Sequence, residues 1–289
     1  MANPFYGIIG TGPEASATIP QYYLLSPFPQ FTAVQASFPT GGYSDYSAFQ
    51  LKVEKRFSHG LTTLLSFTGQ KLIDDFSQIS NVGNQTGGIQ NIYDDQQQRS
   101  VSSNDQSRRL VVSGTYQFPL GRGKDFGKNW SRPVDALLGG WQVNGIYTYT
   151  TGFPISVTAA NNCTGCGIQT LRPNNDGQSA ALSGSVSERL NGYFNTAVFS
   201  QPAAFTFGSV GRTLPDVRNP SAHNIDFSLF KSFRPVERLT VEFRAEAYNL
   251  LNQVVFGGPG TGINSNTFGV ISSQANGPRT IQFALKLLF

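Results

Sequence analysis

Residues 279–289 constrain the fold more tightly than any other stretch of the chain. Ile281, Phe283, Leu285, Leu287 and Phe289 fall on one face of an extended segment. Thr280, Gln282, Ala284 and Lys286 fall on the other, with Leu288 as the exception. A soluble domain seldom exposes an alternating apolar edge strand, because its unpaired backbone templates aggregation. A membrane β-barrel uses such a strand, apolar toward lipid and polar toward the lumen, about ten residues long.

The same period of two recurs in six further segments, 45–57, 60–73, 106–118, 139–151, 222–233 and 238–249. In the last, Leu239, Val241, Phe243, Ala245 and Ala247 oppose Thr240, Glu242, Arg244 and Glu246. Three charges in a row on one face are prohibitive against a dry core but cost little against water. Glu242, Arg244 and Glu246 are therefore expected to face a wet lumen, or the outer surface of a soluble sheet.

Connection lengths add an asymmetry. Phe57 to Gly60 and Arg234 to Glu237 are tight, and 119–137 is intermediate. The segments 74–105, 152–221 and 250–278 are long and rich in Gly, Asn, Ser and Gln. Short and long connections alternate along the chain, as in outer-membrane barrels with short periplasmic turns and long extracellular loops. With a periplasmic C-terminus, all seven strand directions are consistent. The fold expected is all-β, an antiparallel transmembrane barrel segment of about seven to ten strands.

Composition agrees. Only 13% of the 289 residues are charged, against roughly 25% in soluble domains. Phe (23), Tyr (11) and Gly (31) are abundant, as in strands that are half apolar. A soluble or secreted β-sheet binding module shares this composition and is the alternative. The net charge of +4 is small and scattered, so nucleic acid is not an expected partner. The start, Met1 to Phe5, has no secretory signal pattern. Either the protein is cytosolic or these residues are the C-terminal piece of a longer chain without its signal peptide, and the second is the expectation. Six prolines in 1–43 (Pro4, Pro13, Pro20, Pro27, Pro29, Pro39) argue against a strand there. That segment is expected to be an extracellular loop, with barrel strands and loops over 44–289.

No catalytic chemistry is expected, nor any metal or cofactor. Cys163 and Cys166 are the only cysteines. Such a CxxC pair serves as a redox motif, a zinc half-site or a small-loop disulfide. In a long outer loop the disulfide is expected. Asp74-Asp75 and Asp94-Asp95 read as solvated loop charge rather than a calcium site. His223, Asp226 and Ser228 suggest an outer-membrane barrel hydrolase, a minor reading without a Gly-x-Ser-x-Gly elbow. Trp141, Tyr147, Tyr149, Tyr116 and Tyr248 near strand ends fit interfacial girdles. Ile155 to Val157 and Phe205 to Phe207 are candidates to extend strands above the membrane.

Several stretches also resemble a known family. Glu242 to Asn252 resembles the penultimate strand of TonB-dependent outer-membrane receptors, and Arg218-Asn219-Pro220 with Asn224 to Lys231 resembles the strand before it. Pro27 to Phe31, Glu54 to Leu61 and Leu137 to Pro154 follow in family order and resemble the Oar-like type, which carries a carboxypeptidase-regulatory-like N-terminal domain and abounds in acidobacteria. The resemblance implies a 22-stranded barrel with an N-terminal plug, located in the outer membrane and importing an unidentified solute. It implies coupling to TonB only through an N-terminal part, and contact with outer-membrane lipid and lipopolysaccharide. Phe283, Leu285, Leu287 and the terminal Phe289 resemble the signal by which the barrel-assembly machinery recognises its clients.

Overall fold

A computed structural model describes residues 1–25, 28–31, 42–75, 89–91, 94–163, 170–236 and 238–289. Seven long or medium strands form an antiparallel meander: β1 (Ser44–Ser58), β2 (Leu61–Asp74), β4 (Arg108–Gln117), β5 (Trp141–Thr150), β8 (Ala222–Val236), β9 (Leu239–Tyr248) and β10 (Thr280–Leu288). The short β3 (Ser100–Val101) adds to the outer end of β2, and β6 (Asn174–Asn175) pairs with β7 (Phe199–Ser200) apart from the main sheet. Among the described residues, helix α1 (Gln21–Leu24) precedes β1 and helix α2 (Arg132–Leu138) lies in the β4–β5 connection. Among the described residues β1 and β10 pair with one neighbour each, so the sheet is open rather than closed into a barrel.

Register shows what the alternation does. The row Leu61–Tyr116–Val143–Leu229–Ala245–Phe283 crosses six strands on one face. The adjacent row Thr62–Thr115–Asn144–Ser228–Glu246–Gln282 crosses the same strands on the other. A one-residue slip of any strand would exchange the two sets, so the apolar face pins the register. That face has no cover: Phe283 is 71% exposed and Leu285 67%, with Phe49, Leu51, Val53 and Phe57 likewise bare on β1. A ten-residue strand such as β4 reaches roughly 33 Å, or about 23 Å across when tilted near 45°. That matches the apolar band of an outer-membrane wall.

The connections sort to opposite ends. His59 (φ 51°) and Gly60 (φ 79°) make the tight β1–β2 hairpin, the backbone that a two-residue turn of this hand requires. A Cβ on Gly60 would sit 2.3 Å from the Gln117 carbonyl oxygen, so the position admits glycine alone. The β8–β9 turn and the α2-bearing connection share that end. The three long loops leave the other.

Those loops hold the buried hydrophobic core of the molecule. Ile155, Val157, Tyr193, Phe194, Val198, Phe199, Leu214 and Ile271 are buried together, with Phe256, Ile263 and Phe268 against them. Phe194, Phe199 and Phe268 meet edge to face, with ring centroids 5.3–6.1 Å apart. Here the structure corrects two expectations. Ile155 and Val157 do not extend a strand; they anchor this core. Phe205 to Phe207 form no strand either, and Phe205 stands 80% exposed with φ 65°. Among its described residues, 1–43 contributes no strand to the main sheet.

Candidate functional site

Polar side chains gather on the polar face of the sheet and in the loop layer at its outer end. Period-two alternation brings Glu242, Arg244 and Glu246 to that face, opposite Val241, Phe243 and Ala245. Arg244 Nε donates to Glu242 Oε1 at 2.6 Å, and its guanidinium lies 4.7 Å from the Phe230 ring centroid. Glu246 accepts from Gln282 Nε2 and from Tyr248 Oη at 3.3 Å. Further across, Asn144 donates to Ser228 Oγ (3.1 Å) and Gln142 to Asn144 Oδ1 (2.8 Å). These rungs form a wall of amides, hydroxyls and paired charges.

At the loop end this wall opens into a cavity of about 580 Å³. Thr148, Thr150, Asn224, Asp226 and Tyr248 line it from the sheet, and Asn276 from the β9–β10 loop. Asp226 Oδ1 is held by Asn224 Nδ2 (2.8 Å) and the Asn249 amide (2.9 Å). Asn249 is buried at φ 52°, and its side chain bonds Gln253 and the Gly277 carbonyl. The rim is thus fixed by hydrogen bonds before any solute arrives. It offers hydroxyl and amide groups and one carboxylate.

Three arginines clamp the loops over the wall. Arg212 pairs with Asp74 and donates Nε to the Gln98 carbonyl at 3.1 Å. Arg218 pairs with Asp105 at 2.5 Å and also bonds the Asp105 and Gly152 carbonyls. Arg172 donates to the Gln97 carbonyl at 3.3 Å, and its backbone amide donates to Gln90 Oε1 at 2.8 Å. Burial, then the nearby Arg212 charge, bring the Arg172 guanidinium down to about 10.

Sequence reasoning missed this clamp. Asp74 is not solvated loop charge but a 6% exposed partner of Arg212. Asp75 accepts the Tyr43 amide, and Asp94 caps the 3-10 turn Asp95–Gln98. No local pattern marks such pairs, because their partners lie more than a hundred residues away.

Other expected residues scatter. His223 shares the apolar face with Tyr149, its register partner, whereas Asp226 and Ser228 are on the polar face. His223 and Asp226 both line the cavity, from opposite faces of the sheet, but no hydrogen bond among the described residues joins the three. Tyr116, Trp141, Tyr147 and Tyr149 occupy the apolar face, but Tyr248 is on the polar one, where it lines the cavity. Lys231 is also on the apolar face: its ammonium bonds the Gly139 carbonyl and lies 5.6 Å from the Trp141 ring centroid. Cys163 is buried and disulfide-bonded; Cys166 lies outside the described residues. Phe283, Leu285, Leu287 and Phe289 all stand exposed.

An uncovered apolar face, a hydrogen-bonded polar face, and turns and loops sorted to opposite ends define the wall of a membrane β-barrel. The family comparison agrees: residues 3–282 match the model of the outer membrane beta barrel domain. The chain belongs to that family, and its place is the outer membrane. A comparison with curated proteins finds no match.

Proposed function

We propose that residues 1–289 form part of the barrel of a TonB-dependent receptor of the Oar-like type, which imports a solute without covalent chemistry. One observation carries the reading beyond barrel membership: a polar wall roofed by a packed loop layer, with a preorganised cavity of about 580 Å³ between them. A simple pore needs no such roof. A receptor does, because it must hold a scarce solute at its outer rim. The family motifs, Glu242 to Asn252 and Leu137 to Pro154 among them, support the assignment.

In this reading Glu242, Arg244 and Glu246 face the lumen, and the loop layer is extracellular. The open edges β1 and β10 join further strands of a larger barrel of the 22-stranded type. The C-terminal strand, ending in Leu285, Leu287 and Phe289, engages the barrel-assembly machinery, and the apolar face meets outer-membrane lipid and lipopolysaccharide. TonB engages a part of the receptor outside these residues.

The test is in-cell cross-linking of the intact protein to TonB, with uptake assayed across a panel of labelled oligosaccharides, peptides and metal chelates. Cross-linking together with uptake that stops when a protonophore collapses the proton gradient supports the reading. Absence of cross-linking, with passage indifferent to the gradient, means a passive pore.

A further inference from the structure

Among the described residues, the seam between the β2–β4 loop and the β5–β8 loop leaves one buried arginine without a carboxylate partner. Arg172 and Arg212 are 3% and 2% exposed, and Gln98, whose carbonyl accepts from Arg212, is 2% exposed. The two guanidinium groups reach the carbonyls of consecutive residues, Gln97 and Gln98, which places them side by side. Arg212 has Asp74, and Arg218 nearby has Asp105. Among the described residues Arg172 has no carboxylate: its only side-chain bond is to the Gln97 carbonyl.

Hydrogen bonding shows a matching excess of donors. Arg172 Nε, Arg212 Nη1 and Gln98 Nε2 are sealed from solvent without an acceptor, against one acceptor without a donor, Gln98 Oε1. Buried polar atoms are nearly always partnered, and each exception calls for a water or an ion. A water answers the hydrogen bonds but leaves the charge. A buried arginine without a counter-charge is strongly unfavourable.

We propose that this seam binds a small inorganic monoanion of halide size, chloride in a saline medium, between Arg172 and Arg212. The atoms are enclosed, which favours a monatomic ion over phosphate or a carboxylate ligand. Unpartnered N–H donors from guanidinium and amide groups are the chemistry that holds such an ion. The ion would neutralise the clamp and lock the β2–β4 loop onto the loop core. This inference does not depend on TonB coupling or on the solute.

The test uses the intact protein, purified in detergent from outer membranes. Protease cleavage within 152–221 is timed at constant ionic strength in sodium chloride, sodium bromide and sodium gluconate. Cleavage about tenfold slower in chloride and bromide than in gluconate is expected, as for a ligand that binds only the closed state. Arg172→Met should remove that difference. Equal rates in all three salts, or a chloride effect that survives Arg172→Met, would overturn the proposal. Should the variant not fold, chloride-35 NMR decides: the folded wild-type protein must broaden the chloride line, and a line unchanged by folding indicates a water-filled or empty seam.

Discussion

Asp74 and Arg212, 138 residues apart, meet as a buried ion pair that ties the end of β2 to the loop between β5 and β8. The pair stands at the junction of membrane wall and loop layer. Its carboxylate ends a strand whose position the sheet fixes. Its guanidinium belongs to a loop that no strand fixes.

Removing one partner of this pair should therefore loosen the roof rather than the wall. Arg212→Ala leaves the Asp74 carboxylate without its counter-charge, a change that costs roughly 3–5 kcal/mol in comparable buried pairs. The exposed Lys52–Glu54 pair, at 3.2 Å with side chains 65% and 45% exposed, is the control; Lys52→Ala should cost under about 1 kcal/mol. Hydrogen exchange of the loop amides distinguishes them. Equal protection in both variants would show that the clamp does not hold the roof.

The two faces of β8 give the second prediction. Leu229 is on the apolar face between Val143 and Ala245, and Ser228 is on the polar face opposite Glu246. Leu229→Arg sets a cation against lipid near mid-strand and should cost roughly 2–4 kcal/mol. Ser228→Arg, one residue away, gains Glu246 as a neighbour and should assemble nearly normally. Folded yield in outer membranes, read by resistance to denaturation on unheated gels, compares them. Equal damage from both would end the two-face argument.

How much of this was legible in the sequence follows from the same alternation. Each of the seven principal strands coincides with a period-two segment, because burial in lipid on one face and water on the other repeats every second residue. Leu61 and Phe283 announce their face; so do Thr62 and Gln282. The roof was not legible. Phe194, Leu214 and Ile271 pack by tertiary contact and follow no period, so their stretches read as polar loop, and Ile155 read as a strand extension. Asp74 and Asp105 are ordinary acids in sequence and acquire their role only when Arg212 and Arg218 fold back over them. Tyr248 misled for a different reason: strand-end aromatics suggest a girdle, but its even position aims it at the cavity.

Alkaline pH should open the roof. Burial raises the Tyr193 phenol above its ordinary value of 10, against a smaller opposing effect of Arg189. Its hydroxyl donates to the Arg218 carbonyl at 2.7 Å. The unfolded chain loses this proton first, so the folded state binds more protons and stability falls as pH rises. The contribution is complete below pH 10 and is lost as pH climbs through the higher folded value. Protease sensitivity of 152–221 should rise over that window, with a smaller rise in Tyr193→Phe. An unchanged pH profile in the variant would clear Tyr193 of the effect.

The edges give the last prediction. β1 and β10 each leave one side of their backbone unpaired among the described residues. Inside a bilayer no water reaches those N–H and C=O groups, and each unsatisfied group costs several kcal/mol. Roughly half the backbone groups of the nine-residue β10 point outward, so the edge penalty exceeds the net stability of an ordinary domain, about 5–15 kcal/mol. Twist and burial within the sheet cannot offset it, because the apolar face gains its stabilisation from lipid whether or not the edges are closed. Residues 1–289 produced alone, with a secretion signal supplied, should therefore aggregate or be degraded instead of persisting as an inserted monomer. Photo-cross-linkers placed at Phe49 and Phe283 in the intact protein should capture neighbouring strands on both sides. A detergent-stable, heat-modifiable monomer of these residues would show that β1 and β10 close on each other and that the barrel is a small, complete one.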